Sequence, residues 1–266
     1  MKIIKLLLIL SMLSFINSCD IIDEPYEQDG GIVVEPNEHE RRALLIEFTG
    51  IKCPNCPDAS KEAHRIIDKY EGKVIGLNIH ASTLAKPSSP DQPNFRNSTS
   101  DEIYANTNRP SLPGGLISQF LVPDAVTNST ITWETQVAEV ISKSADLEIK
   151  ITQSDKFNFE VEFFNELNSN LRIAAYFTEF DYIGYQIDGT NIILDYEHNY
   201  ILRTSILGDL GQDLDLTKIE DNKLNVEAEI PAIDAKWTAK NLRVVCFVYD
   251  VESGDVLQVS EVKFEE

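Results

Sequence analysis

Two cysteines separated by two residues, Cys53 and Cys56, are the side chains of this sequence best placed to do chemistry. They stand where an aliphatic run, Leu44-Leu45-Ile46-Glu47-Phe48, gives way to a helical pattern. At the first turn of a helix the leading sulfur lies beside unpaired backbone N–H groups and the positive end of the helix dipole, which favours thiolate over thiol. A thiolate is the form that attacks a disulfide. Lys52 puts a cation next to Cys53, a further push the same way, and Pro54 supplies a backbone angle suited to a first helical turn. Two other readings compete. The pair could be a structural disulfide in a domain that only binds, or half a zinc site; no His or Cys pair of suitable spacing follows, which leaves the metal reading without support.

The elements that must hold the pair follow from hydrophobic periodicity. Residues 43–48 and 73–80 are near-continuous apolar runs that predict two strands, and Ala59, Ala63, Ile66, Ile67 and Tyr70 fall at offsets 0, 4, 7, 8 and 11, one buried face of a helix between them. Gly72 marks its end. Strands apolar on both faces around a helix suggest a parallel βαβ unit, with His64 in solvent on the helix. Residues 82–114, rich in Ser, Pro, Asn and Asp, read as a long loop with a short helix at 101–105; a turn at Pro113-Gly114-Gly115 then feeds a short strand, and a helix is expected over 133–144. From Asp146 the period becomes two, as in Phe157, Phe159, Val161 and Phe163 against Asn158, Glu160 and Glu162. About seven such strands predict an antiparallel β-sandwich.

The N-terminus and the charge place these elements. Lys2 and Lys5 precede an apolar run from Leu6 to Ile16, too short to span a bilayer that needs about 20 apolar residues, so residues 1–18 read as a secretory signal. Ser18 before Cys19 resembles a lipoprotein cleavage site, which would make Cys19 the lipidated N-terminus and its acyl chains the membrane contact; ordinary cleavage is the alternative. Residues 19–40 are acidic, hold two adjacent glycines and lack apolar periodicity, so they read as a tether. The remaining length suggests two domains, 41–145 and 146–266. Losing Lys2 and Lys5 takes the net charge from −21 to −23, which argues against nucleic acid as a partner. An exported chain meets an oxidising environment, so the pair can exist as a disulfide, whereas Cys246 sits in an apolar strand as a buried, inert thiol. The acidic cluster at Asp209, Asp213 and Asp215 misses the calcium-loop spacing and reads as a solvated loop; no cofactor fingerprint is present.

The segment from Leu44 to Pro57, with its Cys-Pro-Asn-Cys, resembles the active-site segment of the thioredoxin superfamily. The resemblance implies a role for Glu47, as the buried acid that helps move the proton of the second cysteine, and for a cis-proline loop packed on the pair. Pro113 is the choice for that loop and Pro110 the runner-up. A second stretch, Tyr196-Glu-His-Asn-Tyr-Ile-Leu-Arg-Thr-Ser-Ile-Leu-Gly208, with Trp237, Asn241 and the Val244 to Val248 strand, is similar to the outer membrane protein 28-related lipoproteins of Gram-negative bacteria. Together they imply an α/β thioredoxin-like domain followed by an all-β, immunoglobulin-like sandwich at the outer membrane. Two functions follow as expectations: thiol–disulfide exchange with a protein partner, or binding of a surface ligand by a non-catalytic adhesion lipoprotein. The stretch around His198 is expected to be a structural corner between strands.

Overall fold

The computed structural model describes residues 39–167 and 169–265. The signal at 1–18, the lipidation site Cys19 and nearly all of the tether at 19–40 therefore lie outside the described residues.

The βαβ unit forms as its periodicity requires. β1 (Ala43–Thr49) and β2 (Val74–His80) are buried along their whole length and pair in parallel, with Glu47 opposite Asn78 and Thr49 opposite His80. α1 (Cys56–Lys69) connects them and buries Ala59, Ala63 and Ile66. After α2 (Ser98–Asn106), β3 (Gly114–Ile117) pairs antiparallel to β1, and α3 (Trp133–Ile141) lays Trp133 and Val137 on the same side as α1. Gly115 is needed there: a Cβ on it would stand 2.4 Å from the Trp133 ring.

The alternating segments also form strands: β4 (Leu147–Gln153), β5 (Lys156–Phe163), β6 (Leu171–Glu179), β9 (Ile201–Ser205), β11 (Lys223–Glu229), β12 (Leu242–Asp250) and β13 (Val256–Lys263). Between β6 and β9 the chain makes a hairpin of β7 (Tyr182–Asp188) and β8 (Asn191–His198). The short β10 (Gln212–Asp213) pairs with β6. His198 ends β8 and the chain turns through Asn199 and Tyr200 into β9, the corner expected there, while both arms of the hairpin before it are new to the reading.

One large sheet runs in the order β13-β12-β6-β9-β2-β1-β3. The expected boundary at 145/146 falls between α3 and β4, yet strands from either side of it share this sheet, because β9 pairs in parallel with β2 at Asn78 and Ile201. Asn78 secures the junction: its backbone N–H donates to Tyr200 O at 2.8 Å and its side chain to Asn199 O at 3.0 Å. The three-stranded sheet β11-β5-β4 packs on one face of β6 and β12, sandwich-like, over a core that includes Phe157, Phe159, Phe177 and Cys246.

Candidate functional site

Strand geometry decides where Glu47 points. Side chains alternate along β1, and Ala43 and Leu45 pack with Ala59, Ala63 and Ile66 of α1, whereas Leu44, Ile46 and Phe48 pack on the opposite face. Glu47 is in phase with Ala43 and Leu45, so its carboxyl is delivered beneath α1. It is fully buried, and Ser60 of α1 donates its hydroxyl at 2.9 Å to both carboxyl oxygens. Burial without a cationic partner pushes the Glu47 pKa up to about 8, against smaller opposing effects of the Ser60 and Thr49 hydrogen bonds.

Ser60 lies four residues after Cys56, one turn along the same helical face. Cys53 and Cys56 are joined as a disulfide, Cα atoms 5.4 Å apart, and each is only 1% exposed. The helix does not begin at Cys53 as expected. Asn55 takes the N-cap position and Cys56 opens the helix, so the proline of the first turn is Pro57, and Cys53 sits in the preceding turn. The physical reason is that Pro57 has no N–H to donate to Cys53 O, which accepts from Cys56 N–H at 3.3 Å instead; the Pro54 carbonyl meanwhile accepts from Gly189 N–H of the hairpin turn at 2.8 Å. The Lys52 ammonium reaches Ser88 Oγ at 3.2 Å. The cis peptide bond is Leu112–Pro113, immediately before Gly114, which pairs with Phe48 of β1; Pro110 instead accepts from the Tyr104 hydroxyl.

The hairpin covers the pair. Ile187 N–H donates to Ile51 O at 2.9 Å, and the buried Gln186 donates its side-chain amide to Cys53 O at 3.2 Å. Tyr196 from β8 comes close to Ser60 and Glu47; burial, with the carboxyl adding to it, pushes its phenol up to about 12. Between these groups is a small polar cavity with about 10 Å³ of space, lined by Cys56, Ser60, His80, Tyr196 and His198. That is room for about one water centre. The two histidines are neutral in the physiological range: burial holds His80 well below its usual value and takes His198 down to about 4. Both rings pack on Phe95, at 4.7 and 4.8 Å between centroids. His64, expected in solvent, is half-buried with its ring 5.4 Å from that of Tyr200 and its pKa lowered by burial. Beside this cluster Arg203 and Glu179 form a buried ion pair at 2.6 Å, while Thr238 N–H satisfies the other carboxyl oxygen at 2.8 Å.

Ser60, Gln186, Tyr196, His80 and His198 are the site residues that sequence reasoning missed. Ser60 carried a signal, a polar residue within the apolar stripe of α1 one turn from Cys56. The hairpin carried one too: Gly189-Thr190 between Asp188 and Asn191, with Gly189 at φ +59°, glycine at the first position of a two-residue loop. Among the described residues no group of three or more His, Cys, Asp or Glu could hold a metal. Cys246 is fully buried in the sandwich core, where burial raises its pKa.

The fold has solved relatives. HBP35 of Porphyromonas gingivalis is 14% identical with a TM-score of 0.67, over 86% of this chain and 76% of that one. A protein of Agrobacterium tumefaciens is 13% identical with a TM-score of 0.54, over 84% of this chain and 95% of its own. A domain of the outer membrane lipoprotein Omp28 from Porphyromonas gingivalis is 20% identical over 46% of this chain and 89% of its own, with a TM-score of 0.29. Comparison with curated proteins gave no match. The model of the family described as outer membrane protein Omp28 matches residues 100–266, a span that contains the hairpin but not the cysteine pair. With well over half of its length matched, the chain belongs to the Omp28 outer membrane protein family.

Proposed function

We propose that this is an exported envelope protein, lipid-anchored through Cys19, whose thioredoxin-like N-terminal portion exchanges dithiol and disulfide through Cys53 and Cys56. The observation that carries the reading is Glu47, a buried carboxyl with a pKa pushed to about 8 and linked through Ser60 to the helical turn that begins at Cys56. A carboxyl in that range is matched to a thiol, whose ordinary pKa is about 8.5, and so can pass a proton to it or take one from it near neutral pH.

The exchange runs in two steps. A substrate thiolate attacks Cys53 Sγ, the Cys53–Cys56 bond breaks, and Cys56 leaves as a thiolate that takes a proton from Glu47. A second substrate thiolate then attacks the substrate sulfur of the mixed disulfide and expels Cys53 as a thiolate, which takes a proton from solvent, leaving the substrate oxidised by two electrons and the pair as a dithiol. An external disulfide such as glutathione disulfide accepts those electrons and restores the pair. In this reading Pro113 shapes the groove on which the substrate lies, and no cofactor is needed.

The test is reduction of the protein in a glutathione redox series, followed by transfer to a model disulfide. The expected result is a measurable potential, turnover that Cys53→Ser or Cys56→Ser abolishes, and slowing by Glu47→Gln with the fold intact. A pair that reduces but passes no electrons on would refute it. The 1% exposure of both sulfurs favours a second reading, a binding module in which the disulfide only staples the turn ahead of α1. That reading expects the double serine variant to keep surface binding in full.

A further inference from the structure

Resting on the redox reading above, we infer that the β7–β8 hairpin is a lid over the cysteine pair, and that its outer face docks an extended, apolar polypeptide segment carrying the substrate cysteines.

The covering is specific. An incoming sulfur must reach a disulfide sulfur directly, and at 1% exposure neither Cys53 nor Cys56 admits one. What stands over them is held by hydrogen bonds, Ile187 N–H to Ile51 O, Gly189 N–H to Pro54 O and the Gln186 amide to Cys53 O and Gly50 O, and by Tyr182 and Tyr185, which pack against Ile51, Phe95 and Ile201. All the donors belong to β7 and its turn, and all the acceptors are backbone carbonyls of residues 50–54. β7 and β8 pair only with each other among the described strands. A two-stranded hairpin is marginally stable alone, so the lid is drawn from the low-stability end of the fold.

Its two sides are inverted. Gln186 and His198, both polar, are buried, while Ile183, Ile192 and Leu194 are 57, 62 and 73% exposed. Only two other large hydrophobic residues are comparably exposed among the described residues, Ile131 and Val251, so the apolar surface is concentrated on this element. The inversion comes from a bulge: two residues lie between Ile193 and Tyr196 on β8, against one between Gln186 and Gly184 on β7. The outer edge of β8 has no neighbouring strand among the described residues, so an extended segment can add there, its alternate side chains on Ile192 and Leu194. A small thiol has nothing to grip on such a face. Asp188, Asp195 and Glu197 on the same hairpin favour a neutral or basic segment and disfavour anionic lipid headgroups.

The experiment follows reduction of the pair in the full mature protein by three dithiols: dithiothreitol, an apolar lysine-flanked peptide with two cysteines, and a Ser/Gly/Asp peptide of equal length and cysteine spacing. The apolar peptide is expected to react at least tenfold faster than the polar one, and the paired substitutions Ile192→Lys and Leu194→Lys to reduce that ratio about tenfold. Gln186→Ala removes the amide's hydrogen bonds to Cys53 O and Gly50 O and is expected to speed reduction by dithiothreitol at least about tenfold, the factor that one net hydrogen bond represents. No preference between the peptides, or a dithiothreitol rate that Gln186→Ala leaves unchanged, would overturn the inference. Dimerisation abolished by Ile192→Lys would seat a second copy on the face and also overturn it. Onward transfer to glutathione disulfide is read separately, so a pair that is reduced on this schedule but passes no electrons on retains the lid and loses the redox function.

Discussion

Replacing Glu47 by Gln tests the chemistry of the site through stability alone. Burial raises the folded-state pKa of Glu47 from 4.5 to about 8, so between those values the folded chain holds a proton that the unfolded chain has released. The stability contributed by neutral Glu47 is therefore full below pH 4.5 and is lost progressively as pH rises to about 8, where the folded carboxyl ionises as well. At about 1.4 kcal/mol for each pKa unit, the whole window amounts to about 5 kcal/mol. The substituted glutamine side chain has nearly the same shape, can still accept from Ser60, and cannot ionise; any change in hydrogen bonding gives an offset that does not depend on pH. The stability of Glu47→Gln relative to the parent should then climb by about 4 kcal/mol between pH 5 and pH 8. Urea unfolding at pH 5, 6.5 and 8, without reductant so that the disulfide stays closed, measures this directly. A difference that is constant across the three pH values would refute the placement of a neutral, desolvated carboxyl beneath α1.

The other outcomes are checked more briefly. His198 has its pKa lowered from 6.5 to about 4, so its stabilising effect is present above pH 6.5 and lost as pH falls toward 4; His198→Gln should flatten acid unfolding in that window by about 3 kcal/mol, read from denaturation midpoints. Arg203→Leu leaves the buried Glu179 carboxyl without its ion-pair partner, and should cost about 3–5 kcal/mol in chemical denaturation, much of it recovered by adding Glu179→Leu. Gly115→Ala drives a Cβ into the Trp133 ring and should cost about 1–3 kcal/mol, seen as a lower Tm with altered Trp fluorescence. Cys53→Ser with Cys56→Ser opens a very short loop and should cost only about 2 kcal/mol by loop-closure entropy, while amide exchange at Ile187 and Gly189 stays protected because their acceptors are backbone carbonyls.

What could be read from the sequence was whatever depends on local period. β1, α1 and β2 follow from the apolar run and the Ala59-Ala63-Ile66 stripe, and the later strands follow from strict alternation of residues such as Phe157, Phe159 and Val161. The start of α1 was misplaced although a local residue reports it, Pro57, which has no N–H to close a helical turn onto Cys53. The continuity of the sheet was hidden because the residues that make it are far apart in the chain. Asn78 is, with His80, one of two polar residues in the otherwise apolar β2, and its partners Asn199 and Tyr200 lie on the far side of the expected domain boundary. Glu47 was legible as a site residue only through resemblance; its neutral state comes from burial, which the sequence does not display.

The hairpin was missed for a reason that bears on its role. Pattern reading assigns apolar side chains to the interior, and here Ile183, Ile192 and Leu194 face solvent while Gln186 and His198 are buried. Burial of apolar area, the term that holds most strands in place, is supplied here mainly by Tyr182 and Tyr185, which pack against Ile51, Phe95 and Ile201. The hairpin's inward face also satisfies polar groups, the Cys53 and Pro54 carbonyls and the small cavity beside Cys56. The cluster of Ile51, Phe95 and Ile201 is far smaller than the one β12 lines, so the hairpin parts from the disulfide at less cost in exposed core than a strand such as β12 would. The family match adds to this, since it covers the hairpin at 182–198 and begins after Cys56. The cover thus lies within the matched span and the disulfide it covers lies outside it, so the family match by itself does not carry to the cysteine pair, whose surroundings are set by residues 43–60 and the hairpin above them.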